Sequence, residues 1–265
     1  MIQIGNIPLP VGAGMEELRK KAAKALGVRP GTLGELTIVR QSIDARNKSE
    51  VHYVYTVETA MPGEKSLVVS APGKNVKLVA HLPYEFPEIS RRSHTMPVVV
   101  GMGPAGLFCA YLLAREGYAP ILIDRGDSVA DRVKAVDGFY AEGRLDTESN
   151  IQFGAGGAGT FSDGKLLTRI NDARCSFVLE TLRDMGAPED ITLQAKPHVG
   201  TDVLTRVLVR MRERLTELGA EYRFLSQVTN LEIKNGRLTA VIVNNSGELL
   251  VARRAKEPAK GTLDL

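Results

Sequence analysis

The sequence predicts an α/β chain in two parts: a small α+β domain over residues 1–93, then a doubly wound unit with a β-meander excursion over residues 94–265. Three observations carry that prediction. An all-β-branched run, Val98 to Val100, stops at Gly101-Met102-Gly103-Pro104-Ala105-Gly106, which is G-x-G-x-x-G. An apolar helical run closed by Gly117 follows, then a second apolar strand, Ile121 to Ile123, ending in Asp124. Ahead of both, the chain reads as strand, helix, strand, strand and strand, with a Pro-rich stretch after them.

In the N-terminal part, Ile2 to Ile4 reads as a strand. Met15 to Leu26 reads as a helix with apolar residues at Met15, Leu18, Ala22 and Leu26, stopped by Gly27. Leu36 to Gln41 and His52 to Val57 read as strands, the second by alternation through Val51, Tyr53 and Tyr55, and polar Ile43 to Ser49 as their hairpin connection. Val76 to Ala80 closes the set. The order βαββ(α)β points to a ferredoxin-like sandwich whose second helix must fall in Gly63 to Gly73, where Val68-Val69 and Pro72-Gly73 oppose helix. The run Arg40 to Arg46 reads as a solvated face, with anion binding as the alternative. Leu82 to Met96 has Pro83, Pro87, Arg91 and Arg92 and no periodicity, so it reads as a linker.

Strand, glycine turn, helix, strand and terminal acid make a dinucleotide-binding, Rossmann-like βαβ unit. Gly101 allows the tight turn out of the strand, and Gly103, lacking a Cβ, lets a pyrophosphate approach backbone N–H groups at a helix N-terminus. Gly106 lets that helix pack close to the sheet, and Pro104 sits where a missing N–H does little harm. Asp124 falls about 20 residues later, where a carboxylate can accept from ribose hydroxyls.

Beyond Asp124, Ser128 to Phe139 has helical spacing with Ser128 as N-cap. Asn150 to Lys165, NIQFGAGGAGTFSDGK, strips side-chain bulk from one loop yet keeps Phe153 and Phe161, which fits backbone drawn close to something flat and large, such as a flavin ring or a phosphate. Cys175 to Met185 reads as a helix. Thr201-Asp202 caps a long helix to Leu218, and Glu221 to Leu225 reads as the next parallel strand. Leu231–Ile233, Leu238–Val243 and Leu249–Val251, with Asn235-Gly236 and Asn244 to Gly247 between them, read as the meander.

Composition narrows the classes further. A formal net charge of +3 over 265 residues gives no reason to expect nucleic acid or an anionic membrane as partner. No apolar run approaches the length of a membrane-spanning helix, and the first residues lack the pattern of a signal peptide, so a cytoplasmic location is the expectation. Cys109 and Cys175 form no C-x-x-C, and Cys109, inside the apolar run, reads as a small buried thiol. The four histidines show no metal-binding spacing, so no metal is expected. His198 is a candidate acid or base, and a satisfied strand-end histidine is the blander alternative; Asp163 and Lys165 read as a solvated loop pair.

Through VVVGMGPAGLFCA, LIDRG, SNIQFGAGGAGTFSDGK, RQSIDARNK and KPHVGTD, the chain resembles the two-dinucleotide-binding-domain flavoproteins. More narrowly it is similar to the uncharacterised FAD-utilising dehydrogenases, or NAD(P)/FAD-dependent oxidoreductases. The resemblance implies that Gly101, Gly103, Pro104, Ala105 and Gly106 hold the FAD pyrophosphate, and Asp124 the adenosine ribose. It places Arg125 and the backbone of Val228 beside the adenine, and Gly156, Gly157, Gly159, Thr160 and Ser162 toward the isoalloxazine. The group more often has glutamate at position 124 and an acid at Ala155. Its members also continue past the meander with a further buried strand and a late Gly-Asp. Neither follows Val251, so the resemblance implies a chain that lacks its C-terminal half or receives it from a partner chain. The implied activity is flavin-dependent oxidoreduction of an unidentified small molecule, with NAD(P)H as candidate electron donor. An NAD(P)-binding dehydrogenase and a non-catalytic nucleotide-binding module remain the alternatives.

Overall fold

The computed structural model describes residues 1–80, 84–87, 96–162, 164–168, 170, 172–244 and 248–251. The strands are β1 (Ile2–Pro10), β2 (Leu36–Asp44), β3 (His52–Thr59), β4 (Val76–Leu78), β5 (Val98–Val100), β6 (Ile121–Ile123), β7 (Glu221–Arg223), β8 (Val228–Lys234), β9 (Arg237–Val243) and β10 (Glu248–Val251). The helices are α1 (Met15–Leu26), α2 (Glu64–Ser70), α3 (Pro104–Arg115), α4 (Val129–Glu142), α5 (Ala173–Asp184) and α6 (Thr201–Glu217). Two compact units result. One takes residues 1–85, 165–184 and 188–198; the other takes 86–164, 185–187 and the chain from 199 onward. Most of the expected linker, Asp163 and the stretch after Val251 lie outside the described residues.

In the first unit four antiparallel strands lie in the order β2-β3-β1-β4, with β3 between β1 and β2. That is the ferredoxin-like order. β1 keeps Ile2, Ile4, Ile7 and Leu9 buried, although these residues change parity midway. A register shift between Ile4 and Ile7, with Asn6 at φ 57°, resets the alternation so that both halves face α1. α1 answers with Leu18, Ala22, Ala23 and Leu26 and ends at Gly27, φ 72°. α2 forms despite its poor intrinsic propensity, because Leu67 and Val68 dock on this core. β2 runs through Asp44, three residues farther than its apolar pattern reached; there Arg46 pairs with Asp44 at 2.6 Å. A segment following α5 adds to β2: Gln41 N–H donates to Leu193 O and Ala195 N–H to Gln41 O, both at 2.8 Å.

The second unit is built on the parallel sheet β5-β6-β7. All three residues of β6 are buried, as befits a central strand covered on both faces. One cover is the antiparallel meander β8-β9-β10, whose Val228, Val241 and Val243 pack on Met96, Val98, Ile121 and Ile123. α3 buries Leu107, Ala110 and Ala114 at helical spacing, so Cys109 lies on the opposite side of the helix and is exposed. The sequence expectation of a buried Cys109 is thereby corrected: an apolar run says that a helix is buried, not which of its faces. α6 buries Leu204, Val207, Leu208, Met211 and Leu215 in one stripe, and its N-cap is Gly200 rather than Thr201 or Asp202.

Candidate dinucleotide site

The turn between β5 and α3 has three glycines with three different reasons. Gly101 has φ +93°, which only glycine adopts without strain, and its N–H donates to Ile123 O at 2.7 Å. Gly106 is set by packing, since a Cβ there would lie 1.9 Å from Gly101 O and force the backbone to shift. Gly103, the N-cap of α3, has an ordinary φ of −71°, and a Cβ placed on it would meet nothing nearer than Gly157 Cα at 4.0 Å. Neither fold nor strain requires glycine at 103; open space in front of the backbone is what it provides. Pro104 occupies the first helical position and Ala105 is exposed, so the first-turn N–H groups of Ala105 and Gly106, which have no acceptor within the helix, adjoin that space.

Asp124 is buried and turned into the turn itself. Its Oδ2 accepts from Met102 N–H at 2.7 Å and its Oδ1 from Gly126 N–H at 2.8 Å. Each oxygen retains a second lone pair for another donor. Arg125 makes a bidentate pair with Glu148, at 2.9 and 3.0 Å, and lies 4.3 Å over the Phe153 ring. The pairing holds the Glu148 carboxyl below the usual glutamate range.

The second glycine stretch folds around a residue that periodicity did not single out. Arg132, at the centre of the buried face of α4 between Val129 and Val136, is 0% exposed. Its Nε donates to Asn150 O (2.7 Å), Nη2 to Ile151 O (2.7 Å), and Nη1 to Ala155 O and Gly157 O (both 2.8 Å), with Gly154 O at 3.4 Å. The Phe161 ring centroid lies 4.8 Å from its Cζ. Burial pulls the guanidinium down to about 10, partly opposed by the charge of Asp124, so it is cationic at neutral pH. Bending the chain around this cation requires positive φ at Gly154 (+114°), Gly156 (+89°) and Gly157 (+68°). The signal was present in the sequence as an arginine on an apolar stripe.

The two glycine stretches are joined. Gly156 N–H donates to Met102 O at 2.8 Å, and a Cβ on Gly157 would come within 3.0 Å of Pro104 Cδ and 3.2 Å of Gly103 Cα. Gly159 faces open space. Thr160 is 2% exposed and its hydroxyl has no hydrogen-bond partner among the described residues. Ser162 is exposed, donating to Gly159 O at 3.3 Å. Val228 is farther along the chain, pairing with Val243 at the start of the meander. His198, exposed, sits in the other unit. A cavity of about 630 Å³ shares Met102, Ala155 and Gly156 with the loops but is lined by neither Gly103 nor Asp124, so it is distinct from the space in front of Gly103. Among the described residues no group of three His, Cys, Asp or Glu side chains could hold a metal ion, and no helix is long and apolar enough to cross a membrane.

An open Gly103, free first-turn N–H groups and an orphaned Thr160 hydroxyl on the adjoining loop fit a dinucleotide. The fold and the turn define a protein with a Rossmann-like dinucleotide-binding domain. Residues 99–159 match the NAD(P)-binding Rossmann-like domain family, and residues 1–60 match a domain of unknown function, DUF8436. A Clostridium beijerinckii protein named "Uncharacterized protein" is 42% identical over 248 residues; the match takes in 92% of this chain but only 46% of that protein's length. Among solved structures, THI4 of Thermovibrio ammonificans is 19% identical with a TM-score of 0.33, over 57% of this chain and 47% of its own. An L-amino acid deaminase from Proteus myxofaciens is 13% identical with a TM-score of 0.27, over 62% and 45%.

Proposed function

We propose that this chain binds FAD and forms the nucleotide-holding part of a flavin-dependent oxidoreductase. One observation carries the reading: two glycine stretches far apart in sequence are stacked on one another, Gly157 against Gly103, in front of the N-terminus of α3. A single turn serves for a nicotinamide dinucleotide; a second backbone-faced loop beside it suits a cofactor with a further large planar end. In this reading Gly101, Gly103, Pro104, Ala105 and Gly106 take the pyrophosphate, Asp124 the ribose, and Arg125 and Val228 the adenine side. Gly156, Gly157, Gly159, Thr160 and Ser162 border the flavin end. Bound FAD would supply the hydride and electron chemistry, while the residues of this chain hold and orient it. The substrate is a small molecule, and NAD(P)H is the donor to test first. β5 has a single strand neighbour among the described residues and Val100 is 59% exposed, which supports completion of the sheet by further chain or by a partner.

The second reading, NAD(P) held in the same turn, is favoured by the family match over residues 99–159. Dialysis of the purified protein against FAD, NAD and NADP separates the two. The flavin reading expects one equivalent of FAD retained with visible absorbance, and retention abolished in Gly103→Val, whose side chain fills the open space. Retention of NAD or NADP with no affinity for FAD establishes the second reading instead.

A further inference from the structure

Arg132 is a cation withdrawn from water whose hydrogen bonds, among the described residues, all go to main-chain oxygens. Buried charges ordinarily meet an opposite charge. One opposite charge, Asp124, is linked to Arg132 through Met102, whose C=O and N–H belong to different peptide units. Arg132 Nη1 donates to Ala155 O; the N–H of the same peptide, on Gly156, points the opposite way and donates to Met102 O. Met102 N–H in turn donates to Asp124 Oδ2, and Gly126 N–H to Oδ1. The two bonds meet at Met102 Cα, so what passes between them is position: one bond fixes the Met102 carbonyl and the other fixes the Met102 N–H. The series crosses from the second glycine stretch to the first at Met102, between Gly101 and Gly103.

We infer that Arg132 is a positioning residue for the dinucleotide, acting through the Ala155–Gly156 peptide and Met102 on the turn Gly101–Gly103 and on Asp124. It touches no ligand. It fixes the direction of the peptide that anchors Met102 and so holds Gly103 and the Asp124 carboxylate in the form that receives pyrophosphate and ribose. This rests on the dinucleotide reading above and assigns a role to a residue outside the glycine motif.

The test uses the full chain, with ADP and FAD as probes and amide hydrogen exchange as an independent readout. Arg132→Met keeps the unbranched stem as far as the Nε position and removes the charge and donors. It is expected to weaken ADP and FAD binding by about tenfold to a hundredfold, the range over which outer-shell groups act on a bound metal. In the ligand-free protein, exchange at Met102 and Gly156 should quicken while the amides of β1 and β3 stay unchanged. Wild-type affinity in Arg132→Met, or weakened affinity with unaltered exchange at Met102 and Gly156, overturns the inference. If Arg132→Met does not fold, Arg132→Lys decides: it keeps the charge without the planar fork, and behaviour identical to wild type in affinity and exchange refutes the assignment. If wild type binds neither ADP nor FAD, the dinucleotide reading fails, and the exchange comparison in ligand-free protein alone judges Arg132.

Discussion

Replacing Gly106 and Gly103 by alanine should separate the folding role of the glycine motif from its binding role. At Gly106 the new Cβ would sit 1.9 Å from Gly101 O and 3.5 Å from Val99 Cγ1. Ordinary contact needs about 3.4 Å, so α3 must retreat from β5 by over an ångström, loosening Leu107, Ala110 and Ala114. Overpacking of this kind costs about 3 kcal/mol, and the better helix propensity of alanine returns about 1 kcal/mol, leaving a net loss of about 2 kcal/mol. At about 2–4 °C per kcal/mol for a unit of this size, the melting temperature followed by circular dichroism should fall by about 4–8 °C. At Gly103 the Cβ meets only Gly157 Cα, at 4.0 Å, and φ is ordinary. There the poorer N-cap and the less flexible unfolded chain nearly cancel, so stability should change by less than about 0.5 kcal/mol. In the proposed reading the same alanine stands where the pyrophosphate approaches, so FAD affinity should drop. A Gly106→Ala protein that melts no lower than wild type refutes the packing argument, and a Gly103→Ala protein with undiminished FAD affinity refutes the binding one.

Three further outcomes follow from the geometry. Burial pushes the Tyr222 hydroxyl above the usual tyrosine range, with Arg212 pulling the other way, and the hydroxyl has no hydrogen-bond partner among the described residues. A raised acid is protonated more in the fold than in the unfolded chain, so stability should fall as pH rises from about 10, the unfolded value. Tyr222→Phe should flatten that alkaline loss in pH-dependent melts and leave neutral stability unchanged or higher by up to about 1 kcal/mol; a larger destabilisation would show a hidden partner. Residues 1–93 expressed alone should unfold cooperatively in urea, because the core from Ile2 to Val57 is made within them; a non-cooperative, protease-sensitive product would show dependence on residues 165–198. Gly157→Ala, at φ +68° and 3.0 Å from Pro104 Cδ, should lower both stability and FAD affinity, whereas an effect on neither would mean that the two loops are not functionally coupled.

The glycine turn and the ferredoxin-like order were legible because each rests on local rules. Gly101 is dictated by its own φ, Asp124 by its distance along the chain, and β3 by the alternation of Val51, Tyr53 and Tyr55. What escaped was set by tertiary partners. α2 reads as non-helical until Leu67 and Val68 find the core, and the exposure of Cys109 depends on which face of α3 meets the sheet. The site followed the same division. Gly103 and Gly106 were found by spacing, while the pairing of Arg125 with Glu148 joins residues 23 apart by chemistry that no period encodes. Arg132 was hidden because a charged residue in an apolar stripe is ordinarily discounted as surface.

The carbonyls gathered on Arg132 give the stretch from Asn150 to Gly157 an internal guest. Its host contributes only main chain, so no exchange of side chains along those residues can delete a partner; it can only make the required bend harder to form. The abundance of glycine there records the demands of a buried guanidinium as well as those of any molecule arriving from solution. A glycine-rich run in such a chain is therefore ambiguous evidence for a cofactor until an arginine on a neighbouring apolar stripe has been accounted for.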